Sequence, residues 1–158
     1  MQHLTLALAL GIALAGCAAE ASYIPGTRVD RSTENQALID RIEDYRMAVE
    51  RKDASALVLM ASKRYWEDAG TPSGSDDYGY QGLQDILTGR FQSVDAIRYS
   101  MKYMNIARKG DRAYIDVLID ASFTLKDARG QEVRADMRDQ NQFILEWDGK
   151  SWLFLSGM

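Results

Sequence analysis

The chain has 158 residues, a formal charge of −4, one histidine and one cysteine. That length suits one domain with one core, and the acidic balance excludes a nucleic-acid binder, which needs a concentrated basic face. His3 and Cys17 are the only imidazole and thiol, so the residues beyond Cys17 cannot run a Ser-His-Asp or Cys-His mechanism, bind zinc through N and S ligands, hold haem through His or Cys, or form a disulfide. No phosphate-cradling Gly-rich motif and no internal repeat occurs, and neither a cofactor nor a metal is expected.

From Leu4 to Gly16 every residue except Thr5 is apolar or glycine. The run is long enough for a signal peptide and too short for a spanning helix of ~20 residues. An ordinary secretory signal and a retained membrane helix compete with a third reading, which small Ala15 and Gly16 before Cys17 favour. Leu14-Ala15-Gly16-Cys17 resembles a bacterial lipobox. The resemblance implies that residues 1–16 are a lipoprotein signal peptide, that the Cys17 sulfur receives a diacylglyceryl group, and that the new amino terminus is acylated with palmitate-type chains. Each buried CH₂ is worth ~0.8 kcal/mol, so two or three chains anchor a protein stably in its membrane. Ala18 follows the cysteine where inner-membrane lipoproteins often carry Asp, which implies an outer-membrane lipoprotein facing the periplasm or the cell surface. Residues 17–32 show no helical or strand period and contain the Pro25-Gly26 breaker, so they read as a lipidated tether.

The domain is expected over residues 33–158. Thr33 and Gln36 form a Thr-x-x-Gln capping box ahead of a helix with Leu38, Ile42, Tyr45 and Val49 at helical spacing. Asp53 caps a second helix with the stripe Leu57, Met60, Ala61 and Tyr65. Residues 67–78 read as an acidic Gly- and Ser-rich loop, followed by a third helix with Tyr80, Leu83, Leu87, Phe91 and Val94 on one side. From Ala96 the period becomes two. Ile97, Tyr99, Met101 and Tyr103 mark one strand, Ala113 to Phe123 a second, Val133 to Trp147 a third and Trp152 to Leu155 a short fourth, separated by Gly-containing turns. Three helices followed by an antiparallel meander predict an α+β fold, with the helices on one face of a curved sheet.

Tyr45-x-x-Ala48 followed by Asp53 and Leu57, the strand Gly110-Asp111-Arg112-Ala113-Tyr114-Ile115-Asp116-Val117, and the close Asp148-Gly149-Lys150-Ser151-Trp152-Leu153-Phe154 together resemble the NTF2-like superfamily. This group includes SnoaL-like proteins, ketosteroid isomerase and scytalone dehydratase. The resemblance implies a cone with a pocket between sheet and helices, frequent homodimers, and either ligand and protein binding or catalysis.

If the odd phase faces the helices, Tyr99, Tyr103 and Asn105 on the first strand and Asp139 and Asn141 on the third converge inside the cone, near Tyr45 of the first helix. A carboxylate among tyrosines is destabilised by desolvation and stabilised by phenol donors, which makes a general base or an oriented ligand acceptor. By resemblance to ketosteroid isomerase, Asp139 is the candidate base, with Tyr99 or Tyr103 donating to an enolate oxygen. The competing reading places Asp139 and Asn141 at a bulge or wet mouth, satisfying backbone and Tyr groups. Glu67, Asp68, Asp76 and Asp77 lack EF-hand spacing and read as a solvated loop. Asp136 and Arg138, which resemble the Asp and Arg pairing of epoxide hydrolases on this fold, fall in the outer phase and read as an ion pair. Met104, Ile106, Leu118 and Ile144 read as an outer apolar patch suited to a dimer or partner. The chain is thus read as a lipid-anchored module for a small apolar ligand or a protein partner, the competing class being a small cofactorless isomerase, dehydratase or hydrolase.

Overall fold

Ser32, rather than Thr33, starts the first helix, α1 (Thr33–Glu50): its Oγ accepts from the Asn35 amide at 3.0 Å. Gln36 turns away and donates to Asp40 at 2.8 Å, so the expected Thr33/Gln36 box does not form. The computed structural model describes residues 22–158; the expected signal peptide over residues 1–16 and the expected lipidation at Cys17 lie outside the described residues. Leu38 and Ile42 of α1 are fully buried, each burial worth about 1.5–3 kcal/mol. Asp53 caps α2 (Ala54–Met60) as expected, its Oδ1 accepting from the Ala56 amide at 2.9 Å. The extended backbone of Ala61 ends that helix, so Ala61 and Tyr65 are buried beyond it rather than on its stripe. Two-residue strands β1 (Trp66–Glu67) and β2 (Tyr78–Gly79) pair across the acidic loop, and α3 (Tyr80–Gln92) follows with Leu83 and Leu87 buried.

The meander comprises β3 (Ala96–Lys109), β4 (Arg112–Lys126), β5 (Glu132–Trp147) and β6 (Trp152–Ser156), all antiparallel in chain order. Alternation selects the inner face: Ala113, Ile115, Val117, Ile119 and Ala121 of β4 are all buried. On β3 the alternation breaks. A bulge between Tyr103 and Asn105 inserts Met104 and shifts the phase by one residue. Asn105, expected inside, therefore lies outside and donates to Asp116 at 3.2 Å, while Ile106, expected outside, packs against the core.

Two further expectations change. The segment read as a free tether folds back from Ser22 onward: Tyr23 pairs with Asp30, Arg28 donates its amide to the Tyr103 carbonyl at 3.2 Å, and Ile24 and Val29 enter the core. Conversely, β5 is exposed from Glu132 to Gln140 on both faces, although Val133, Ala135 and Met137 hold the odd phase. Length explains this. A 16-residue strand spans ~50 Å, whereas the 18-residue helix spans ~27 Å and cannot cover it.

Candidate functional site

The Tyr45 ring, carried on α1, is wholly buried against Phe143 of β5, Phe154 of β6 and Tyr99 of β3, at centroid distances of 5.1, 5.3 and 6.3 Å. Phe143 and Phe154 meet edge to face at 5.6 Å, which closes an aromatic cluster in the middle of the cone. The Tyr45 hydroxyl faces that of Tyr99. Burial and this neighbour hold Tyr45 well above the usual phenol range. Tyr99 is pushed up to about 12, first by burial, with Tyr45 as donor opposing the rise and the Asp139 carboxylate adding to it. Asp139 of β5 pairs with Ile119, which pairs with Met101, two residues from Tyr99; buried Tyr45 and Tyr99 and exposed Asp139 thus form a line from the core to the surface, where Asp139 Oδ1 accepts from the Gln140 amide at 2.7 Å. Arg90, in the last turn of α3, lies 5.7 Å over the Tyr78 ring on the α3 side of this line.

The other two candidates are drawn elsewhere. The Tyr103 hydroxyl donates to Glu43 of α1 at 2.6 Å, and burial with this bond holds Tyr103 far above the usual phenol range. Arg46 bridges Glu43 and Glu50 at 2.6 and 2.7 Å, and Glu50 accepts the edge-strand amide of Tyr99 at 2.9 Å. This α1 network thus occupies one amide of the free edge of β3. Asn141 donates to the Gly157 carbonyl at 2.8 Å and so fastens the tail. Tyr65 and Tyr78 hydroxyls approach the Met158 carbonyl at 3.4 Å, and Glu67 accepts the Gly157 amide at 2.7 Å. Glu67 is thus part of the tail clamp, and no cluster of three metal-ligating side chains occurs among the described residues.

Polar sites that the sequence did not announce also appear. Glu146, buried on β5, accepts from Ser62 and from Arg64. Ser62 in turn accepts the Arg64 amide at 3.0 Å. On the outer sheet face Arg138 pairs with Asp120 at 2.6 Å and Arg134 with Asp136 at 2.7 Å, so Asp136 and Arg138 do not pair with each other.

A groove of about 590 Å³ opens at the end of the sheet where the β3–β4 and β5–β6 turns meet the start of α1. It is lined by Thr33, Glu34, Arg108, Asp111, Trp147 and Trp152 among others. The two indoles lie 5.5 Å apart, and Trp147 is 43% exposed.

No family model and no curated protein matches the chain. Among solved structures it is similar to a candidate scytalone dehydratase from Novosphingobium aromaticivorans (TM-score 0.69, 12% identity, 78% of this chain and 80% of that one). It is also similar to a candidate NTF2-like dehydratase from Streptomyces avermitilis (TM-score 0.63, 12% identity, 79% and 94%). A ketosteroid isomerase-like protein from Erwinia carotovora atroseptica matches with TM-score 0.63 at 17% identity, over 80% of this chain and 95% of that one. The fold is therefore NTF2-like: α+β, with three helices among the described residues and a curved four-stranded antiparallel sheet.

Proposed function

We propose that the chain is a lipid-anchored binding module: an NTF2-like domain tethered through an acylated Cys17 to the outer membrane, where it engages a small ligand or a protein partner. One observation carries the choice of a module over an enzyme. The rings of Tyr45, Tyr99, Phe143 and Phe154 fill the middle of the cone against one another, and Tyr103 and Asn141 spend their polar atoms on Glu43 and Gly157. A base needs its donors free to meet a substrate. Accessible concavities with aromatic walls lie elsewhere, in the Trp147–Trp152 groove and beside Tyr65, Trp66 and Tyr80. The names of the similar structures bring a second reading, an isomerase or dehydratase, and the line from Tyr45 through Tyr99 to Asp139 is the feature that favours it.

Native mass spectrometry of residues 18–158 beside the denatured mass separates the two. The module reading predicts a stoichiometric ligand or a stable assembly that the Asp139→Asn variant retains. A bound compound that appears in converted form only with Asp139 intact would overturn it and establish an enzyme.

A further inference from the structure

The groove end of the domain has a second property besides aromatic walls: it is where the anchor arrives. The Ser22 carbonyl accepts the Arg31 amide at 2.8 Å, one residue before the Ser32 cap of α1, and Thr33 and Glu34 of the first turn line the groove with Trp147. Cys17 lies five positions before Ser22, a stretch that spans at most ~17 Å. A lipid at Cys17 therefore holds this end, and no other, against the bilayer. The surface there suits such a neighbour. Trp147 presents an apolar ring with a polar edge, the side chain enriched at membrane interfaces. The β3–β4 turn beside it carries Arg108, Lys109 and Arg112 with Asp111, and Glu34 shares the groove with Arg108, which leaves a surplus of cations in a chain whose net charge is −4. Anionic lipid attracts each such cation by ~1 kcal/mol near the surface.

We infer that the Trp147 end is a lipid-docking face, on which the domain lies against an anionic bilayer with the indole at headgroup depth. The inference rests on the Cys17 anchor proposed above. Trp66 supplies an internal control. It is 56% exposed but lies past the far end of β6, where the neighbouring Glu67 accepts the Gly157 amide. Five residues of β6 set it ~17 Å farther from the groove.

The test does not depend on cellular acylation. Cys17, the only cysteine, is coupled in the 17–158 chain to a maleimide lipid in phosphatidylethanolamine vesicles, with or without phosphatidylglycerol. The vesicles also carry acyl chains brominated near the headgroup, which quench nearby indoles. The core cluster seen among the described residues lies wholly within 22–158, and the 17–158 chain keeps all of it. Quenching is expected to fall about two-fold in Trp147→Phe, since two of the three indoles sit at this end, and to be unchanged in Trp66→Phe. Lys109→Gln with Arg112→Gln, both exposed, should remove the gain given by phosphatidylglycerol. Quenching that is absent, or that follows Trp66 rather than Trp147, overturns the inference. A natural Cys17 found without acyl chains would overturn the anchor instead, and leaves the vesicle result readable.

Discussion

Gly157 is the position where one methyl group should do most damage. Its φ is +96°, and a Cβ built there lies 2.6 Å from the Gln142 carbonyl oxygen and 3.1 Å from the Phe143 Cα. Both are backbone atoms of a paired strand and cannot swing aside. Gly110 is the matched control: its φ is +62°, yet a Cβ there meets nothing within 4 Å. Gly→Ala at either site incurs about 1–2 kcal/mol for left-handed backbone. Only Gly157→Ala must also push the tail off β5. That releases the bonds from Asn141 to the Gly157 carbonyl and from the Gly157 amide to Glu67, each worth about 0.5–1.5 kcal/mol, with the one to charged Glu67 at or above the top of that range. The predicted totals are about 3–5 kcal/mol for Gly157→Ala and about 1–2 for Gly110→Ala. Urea unfolding of residues 22–158, followed by Trp fluorescence, reads the difference as a shift in midpoint at unchanged slope. Equal costs at the two sites would refute the close approach of the tail to β5.

Other perturbations probe the helices and the tyrosine line. Ser32→Ala should cost about 1 kcal/mol in the same unfolding assay, as loss of an N-cap does, whereas Gln36→Ala should stay within about 0.5 kcal/mol. Burial raises the phenols of Tyr45, Tyr65, Tyr99 and Tyr103 above their unfolded range, Tyr99 to about 12. A raised folded pKa means the native state keeps its protons longer, so this stability is whole below the ordinary phenol pKa of ~10 and is lost as pH climbs from there through about 12. An absorbance titration of phenolate should show these four ionising only together with alkaline unfolding. Smooth ionisation of all eight tyrosines in a still-folded protein would contradict the burial.

Period two in the sequence predicted the sheet well because one face of it is covered. Ile115, Val117 and Ile119 hold one phase, with Asp116, Leu118 and Asp120 in the other, and each of the three is buried where alternation puts it. The bulge at Met104 left no such mark. One extra residue changes no composition, yet it carried Asn105 to the outer face and Ile106 to the core. Partners distant in sequence were equally silent. Tyr103 was expected to face Asp139, but Glu43, sixty residues earlier, takes its hydroxyl. The Ser62–Glu146–Arg64 cluster joins residues more than eighty positions apart, and its one visible sign is a lone carboxylate between Leu145 and Trp147. The tether expectation failed for a related reason. Ile24 and Val29 are too few and too widely spaced to show a period, but two apolar side chains suffice to seat a short turn on the β3 edge.

The anchor at Cys17 underlies both the proposed role and the orientation of the Trp147 end. The direct measurement is the intact mass of the full chain, produced in a bacterium that processes lipoproteins and recovered from its membrane fraction. The account predicts the mass of residues 17–158 plus a diacylglyceryl group and an amide-linked acyl chain, and a Cys17→Ser variant that keeps residues 1–16. A chain recovered in the soluble fraction, cut at another residue and carrying no acyl mass, would contradict it.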